Sequence, residues 1–297
     1  NNIIKKHENT RESKEQDRIR HVDATDAHTG PIFLVYRQID SIRQVVEAVK
    51  KQTPIYSFVA DDGIKHEAWL IDQKSDLEII KAGFEQIPAT YIADGHHRCA
   101  SAVKVGLKRR QDNPGFTGNE EYNRFLSVLF PDDEMMIMDY NRVVKDLNGL
   151  SKEEFMAKLN DLFEVENKGT NQVHPESKGT FGMFIDGEWY HLTAKASILS
   201  DDAVEGLDVS VLQNSLLGPV LGIGDPRTDE RIDFIGGIRG LEELERRVKE
   251  DMVVAFSMYP TSIEELLAVA DAHRLMPPKS TWFEPKLRSG MFIHRLF

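Results

Sequence analysis

Five consecutive residues, Asp94-Gly95-His96-His97-Arg98, concentrate more reactive chemistry than any other stretch of the 297-residue chain. Thr90 to Ala93 before them reads as a short strand, and Cys99, Ala102 and Val103 after them fall on one helical face running to Gly106, which reads as a helix stop. A glycine that turns a strand into the first turn of a helix leaves several backbone N–H groups unpaired and aimed at one point. The positive end of the helix dipole lies behind them, so such a turn binds anions. His96, His97 and Arg98 add donors suited to phosphate oxygens, and Arg98 can grip two at once. Asp94 can cap the helix or hold a divalent cation beside the phosphates. The bland alternative makes Asp94 a plain N-cap, one histidine a core residue and Arg98 a solvated cover. Three donors at one helix start repel one another and lose hydration unless something negative is bound, which favours the anion site.

Other residues with chemistry are more scattered. Pro277-Pro278 reads as a stop for the preceding helix, and Lys279, Ser280, Thr281 and Lys286 then follow in an extended loop. Two lysines near hydroxyls can clamp phosphates; equally, the loop can be a rigid one that plugs Trp282 and Phe283 into the core. Two His-Glu pairs occur, His7-Glu8 in the charge-dense run Lys5 to Arg18, which on its residues alone reads as one solvated helix, and His66-Glu67 beside a hairpin, which reads as a decoy. Gly222-Ile223-Gly224-Asp225-Pro226-Arg227 lacks the strand before and helix after that a dinucleotide fingerprint needs. The ten histidines are scattered and there is one cysteine, which argues against structural zinc and excludes an intrachain disulfide.

The elements that must position these groups alternate irregularly. Ile32 to Tyr36 reads as a buried strand, and Ile42, Val45, Val46 and Val49 then recur at helical spacing. Asp62-Gly63 predicts a hairpin joining Ile55 to Ala60 with His66 to Ile71, and Asp186-Gly187 predicts another joining Phe181 to Ile185 with Glu188 to Leu192. Phe125 to Phe130 and Met135 to Tyr140 are strand-like; helices are predicted at 76–84, 151–163, 209–217, 241–249 and 262–273. Ser151 with Glu154, and Thr261 with Glu264, have the spacing of capping boxes. This mixture predicts an α+β fold with mixed or antiparallel sheets and packed helices. A soft boundary divides the chain into 1–130 and 131–297, with Arg109 to Glu121 as a surface loop.

With 37 basic and 49 acidic side chains the net charge is −12, which argues against a nucleic-acid partner and for a small molecule. One cysteine, no signal-like start and no long apolar run predict a cytoplasmic protein with no membrane partner; the oligomeric state is left open.

The run Ile92-Ala93-Asp94-Gly95-His96-His97-Arg98, followed by an alanine-rich helix, resembles the signature of the ParB/sulfiredoxin-like superfamily, in which the equivalent turn binds nucleotide phosphates. More closely, four motifs in order resemble an uncharacterised bacterial family related to the free serine kinases. They are Ile4-Lys5-Lys6-His7-Glu8-Asn9-Thr10 with Asp17-Arg18, the Asp94 to Arg98 block, Arg231-Ile232-Asp233-Phe234-Ile235-Gly236-Gly237, and Met276 to Lys286. The resemblance spans nearly the whole chain. It implies a ParB/sulfiredoxin-like nucleotide-binding core in residues 1–130 and a C-terminal loop that returns to the site. It also implies further residues upstream of the abrupt start at Asn1.

In the related kinases a glutamate after a histidine deprotonates the serine hydroxyl, and Glu8 is the matching position. The resemblance thus implies catalytic roles for Glu8 and Asp94, nucleotide binding by Gly95, His96, His97 and Arg98, and contacts from His7, Lys279, Ser280 and Thr281. The cofactors implied are Mg2+ on Asp94 and ATP or ADP as phosphate donor, and the substrate is a free amino acid, L-serine. The chain departs from the pattern at Cys99, where an aromatic residue is common; its place on the apolar helix face reads as a small buried thiol and not as sulfiredoxin-like redox chemistry. Two other readings stand beside the kinase: a CTP- or ATP-binding switch without transfer, and a member that has kept the fold alone.

Overall fold

Every position of the strand Ile32–Tyr36 is buried, as a run of β-branched and aromatic residues must be when both of its faces are covered. It lies inside a four-stranded mixed sheet ordered Ile4–Lys5, Thr90–Asp94, Ile32–Tyr36, Ser127–Pro131. The outer pairs are parallel, with Ile4 opposite Thr90 and Ile32 opposite Ser127, and the inner pair is antiparallel, with Leu34 opposite Ile92. One face turns Phe33, Val35 and Tyr91 into the main core. The other packs Ile32, Leu34 and Ile92 against Cys99 of the helix His96–Asp112. The computed structural model describes residues 2–10, 12–284 and 286–297; Asn1 and Pro285 of the C-terminal motif lie outside the described residues.

The second sheet is antiparallel throughout, six strands ordered Phe163–Gly169, Glu188–Ala194, Thr180–Ile185, Val254–Met258, Tyr140–Val144, Ile232–Gly236. Phe181, Met183 and Leu192 face the main core with Phe155 and Leu159 of the helix Lys152–Leu162, while Phe184 and Trp189 face Leu244 of the helix Leu241–Glu250. The hairpin across Asp186-Gly187 forms as predicted. Both turn residues have positive φ (53° and 80°), which suits the right-handed twist of the strands they join. The Asp62-Gly63 hairpin, Tyr56–Val59 with Lys65–Ala68, is a separate two-stranded ribbon that carries the His66-Glu67 pair. The architecture is the α+β one with mixed and antiparallel sheets. Among the described residues no helix is long and apolar enough to cross a membrane.

Several boundaries differ from the sequence reading, two of them for a tertiary reason. The helix after the reactive turn runs through Gly106 to Asp112. Gly106 is there for a close approach, since a Cβ would come within 2.8 Å of the Tyr122 carbonyl oxygen. Met135 to Tyr140 is two strands, Met136–Met138 and Tyr140–Val144, which belong to different sheets. The second capping box is Ser262 with Glu265, one residue later than expected, because the Thr261 hydroxyl is drawn away to the Ser280 carbonyl at 3.1 Å. The same helix ends at Asp271, well before Pro277, so the prolines shape the loop and do not stop the helix. Lys5 to Arg18 is not one helix either: the edge strand Ile4–Lys5 opens it, and the helix Glu12–Thr25 begins only at Glu12.

The buried Asp208 gives the fold a pH dependence. Its carboxyl accepts the Gly179 N–H at 2.9 and 3.1 Å, and burial pushes its pKa up to about 7. The unfolded chain loses this proton in the ordinary carboxylate range, whereas the folded protein keeps it until near neutrality. Between those values the folded state binds more protons, so stability falls as pH rises, by about 1.4 kcal/mol per pH unit. Urea midpoints of the wild type are expected to drop relative to Asp208→Asn between pH 5 and pH 8; parallel curves would refute this.

Candidate functional site

The strand Thr90–Asp94 delivers its last residue to a turn that only glycine enters without strain. Gly95 has φ 91° and ψ 28° and is the N-cap of the helix His96–Asp112, with no side-chain cap bond. Asp94 does not cap the helix: its carboxylate accepts the adjacent Gly95 N–H at 2.6 Å, and its other oxygen lies 3.7 Å from Lys286 Nζ. The first intrahelical bond runs from Cys99 N–H to the Gly95 carbonyl. The N–H groups before Cys99 in the first turn thus lie outside the intrahelical ladder, as at any helix start.

In front of this turn is a cavity of about 480 Å³ lined by Gly95, His97, Arg98 and Ser101, and, from the helix Glu12–Thr25, by Lys14, Arg18 and His21. The two helices are held together by the buried Glu15, which takes hydrogen bonds from Lys104 and from Thr10 at 2.8 Å, and by Lys108 on Asp23 at 2.7 Å. Gly30 forms another wall. A Cβ there would sit 2.7 Å from Ser289 Oγ and 3.0 Å from Arg98 Nη1, so its lack of a side chain makes room for the guanidinium. Lys14, Arg18 and His21 were missed in the sequence reading. The signal was their spacing of four and three residues, which puts them on one face of a helix.

Behind the turn a second group gathers. His96 is buried with its ring edge-to-face on that of His7, centroids 4.6 Å apart, and neither residue is among the walls of the cavity. Burial holds both imidazoles neutral, His96 at a pKa of about 4 and His7 well below its ordinary value. Among the described residues neither ring nitrogen of His7 nor Nε2 of His96 has a hydrogen-bond partner. Next to them is Glu8, half-buried. Burial pushes its carboxyl above the ordinary range; Lys279 and Lys286 oppose that push and Asp94 adds to it. Glu8, Asp94, Lys279 and Lys286 thus form one cluster of two acids and two bases drawn from three distant stretches of chain.

The C-terminal loop reaches this cluster under tension. Lys279 has φ 62°, and its carbonyl accepts Arg142 Nη2 at 3.0 Å. Its ammonium lies 5.6 Å over the Tyr140 ring, and that of Lys286 lies 5.0 Å over Trp282. Ser280 is buried with its hydroxyl on the Pro277 carbonyl at 2.6 Å; Thr281 follows, half-buried, and Phe283 is in the core. Cys99 is half-buried and burial raises its thiol pKa, which suits a packing role.

No set of three His, Cys, Asp or Glu side chains among the described residues is grouped to hold a metal ion. The two neighbouring carboxylates, Glu8 and Asp94, nevertheless suit Mg2+, which takes one or two protein oxygens and completes its shell with phosphate and water. The turn itself is testable. Gly95→Ala forces a Cβ into left-handed backbone and to 3.2 Å from Arg98 Nε, so it is expected to cost about 1–2 kcal/mol of stability and to weaken anion binding. Thermal melts with and without ADP check both effects.

The model of a family described as a protein of unknown function (DUF1015) matches residues 1–210. No curated protein matches the chain. Among solved structures, a free serine kinase in complex with AMP is 15% identical with a TM-score of 0.44, covering 97% of this chain and 88% of that one. SbnI with a C-terminal truncation, from Staphylococcus aureus, is 12% identical with a TM-score of 0.47, at 97% and 82% coverage. A conserved hypothetical protein from Pyrococcus furiosus is 14% identical with a TM-score of 0.42, at 97% and 90% coverage.

Proposed function

The chain belongs to the DUF1015 family of proteins of unknown function, and from there we propose that it is a nucleotide-dependent kinase acting on a small hydroxyl substrate, free L-serine, with ATP or ADP as donor. One observation carries the reading: a glycine-turned helix start opens on a cavity ringed by Lys14, Arg18, His97 and Arg98, with the raised-pKa carboxyl of Glu8 close enough to Asp94 to feel its charge. We read the four-stranded sheet as the ParB/sulfiredoxin-like core that presents this turn, and the cytoplasm, where free amino acids and nucleotides meet, as its place of work.

Phosphoryl transfer needs in-line placement, positive charge around the equatorial oxygens and a carboxylate at the attacking hydroxyl. The helix-start N–H groups with His97 and Arg98 receive the phosphates, and Lys14 and Arg18 balance their charge from the facing helix. Glu8 takes the proton of the serine hydroxyl as its oxygen bonds to the terminal phosphorus; the bridging P–O bond breaks and its electron pair leaves with the nucleotide. Bound on Asp94 beside the phosphates, Mg2+ would supply further charge neutralisation. His7 and His96, neutral and buried, hold Glu8 against the turn, and Lys279 with Lys286 supplies the charge that offsets the two carboxylates.

The test is phosphorus NMR of the full chain with L-serine, Mg2+ and either ATP or ADP. A phosphoserine resonance is expected. A nucleotide-dependent rise in melting temperature without transfer would replace the kinase by a nucleotide-binding switch, and absence of both would leave only the fold.

A further inference from the structure

Arg142 on the strand Tyr140–Val144 is 3% exposed. A guanidinium taken out of water is ordinarily held by a carboxylate, because a lone buried charge is costly. Among the described residues no ion pair to an acidic side chain is found for it; its acceptors are backbone carbonyls, and burial lowers its pKa to about 10. It stays cationic at neutral pH. Its Nη1 donates to the Tyr140 carbonyl and its Nη2 to the Lys279 carbonyl, and the guanidinium lies 5.5 Å from the Phe234 ring centroid. Of five N–H donors these bonds engage two. The charge is left without a counter-ion.

Beside Arg142 is a cavity of about 180 Å³, separate from the one at the Gly95 turn. Ligand pockets for larger molecules run to several hundred Å³, so this one admits a molecule of only a few heavy atoms. Its other walls include Ser210, Gln213, Asn214 and the prolines 277 and 278, with Glu205 at the exposed rim. Gln213 Nε2 donates to the Ile223 carbonyl at 2.7 Å, and Asn214 Nδ2 donates to Glu205 at 2.6 Å. The amide nitrogens are thus engaged within the protein, and both amide oxygens are acceptors without a donor among the described residues. The cavity has a cation at its buried end and acceptors with a carboxylate at its rim. Glu205 also lies 3.8 Å from Arg274 at the rim, so its charge is shared there; a ligand with both a carboxylate and an ammonium meets the cation at one end and the acceptors at the other.

We propose that this cavity is a second ligand site, which takes a small free α-amino acid with the carboxylate on Arg142 and the ammonium toward Asn214, Gln213 and Glu205. The assignment stands on Arg142 and its cavity and is independent of phosphoryl transfer. Because the same guanidinium holds the Lys279 carbonyl, the ligand and the strained loop share one anchor.

The test titrates the full chain, free of nucleotide, into carboxyl-¹³C-labelled L-alanine, which has no hydroxyl to phosphorylate. Saturable binding is expected, weakened at least about tenfold in Arg142→Met, the loss of a charge-assisted contact. Propionate, which lacks the ammonium, is expected to bind more weakly than alanine. Should Arg142→Met fail to fold, Asn214→Trp at the exposed rim fills the mouth without touching the buried charge and is expected to abolish alanine binding at an unchanged melting temperature. Equal alanine affinity in wild type and either folded variant would overturn the proposal. So would inorganic phosphate that displaces bound alanine and whose own binding is lost in Arg142→Met.

Discussion

Glu8→Gln is expected to lower turnover by about 10²–10⁴-fold while leaving the nucleotide-induced rise in melting temperature intact. The carboxylate and the amide have nearly the same shape, so the edge strand and the packing of His7 on His96 are preserved. What disappears is the ability to accept the hydroxyl proton. The same argument fixes the pH dependence of the wild type. Only the ionised form of Glu8 is a base, and burial places its titration above the ordinary carboxylate range. The rate should therefore rise with pH through that titration and then level off, and the acid limb should be missing from whatever activity Glu8→Gln retains. A variant with wild-type turnover, or one that loses nucleotide binding in proportion to activity, would remove Glu8 from the role of base.

Arg98→Ala is expected to weaken nucleotide binding by about 10- to 100-fold, the worth of charge-assisted hydrogen bonds to a phosphate. The guanidinium is held between two glycines, Gly95 and Gly30, each of which would crowd it if it carried a side chain. That room is specific to a planar fork, so Arg98→Lys should recover the charge but only part of the affinity. Calorimetry at two salt concentrations separates the contributions. In the wild type, Lys14, Arg18 and Arg98 line one cavity, and the affinity should fall with added salt; in Arg98→Ala it should fall less steeply. Unaltered affinity in Arg98→Ala would mean that the phosphates sit elsewhere.

The reactive turn was legible because its logic is local. A short strand, a glycine and a run of donors specify a turn into a helix start within nine residues, whatever surrounds them, although the N-cap is Gly95 and not Asp94. The Asp-Gly hairpins were legible for the same reason. What the residues around the turn do was not, because their partners are remote. Whether His96 lines the cavity at the turn or packs behind it depends on where His7 lands, and that depends on pairing between Ile4 and Thr90. Lys14 and Arg18 looked like solvent-facing charge until the helix carrying them docked on the one beginning at His96. Thr261 and Ser262 have equally good capping partners three residues on. The choice between them is made by the Ser280 carbonyl, nineteen residues away.

Glu8 follows a strand of two residues at the edge of the four-stranded sheet, and what fastens that strand is few in number and distant in sequence. Thr90 N–H bonds to the Ile3 carbonyl, Met276 N–H to the His7 carbonyl, and Lys5 to Asp271, 266 residues away. Such a segment opens at a smaller free energy than the buried strands beside it, because few apolar contacts are lost and the chain entropy regained is large. In mild denaturant Glu8 should leave the turn while both sheets persist, and the proposed transfer should fail before far-ultraviolet dichroism changes. Amide exchange at Ile4 and Lys5 would then proceed by sub-global opening, faster than at Val35 or Phe256. Inactivation is thus expected to begin at the rim, where a short ribbon of backbone undocks, ahead of the melting of the core.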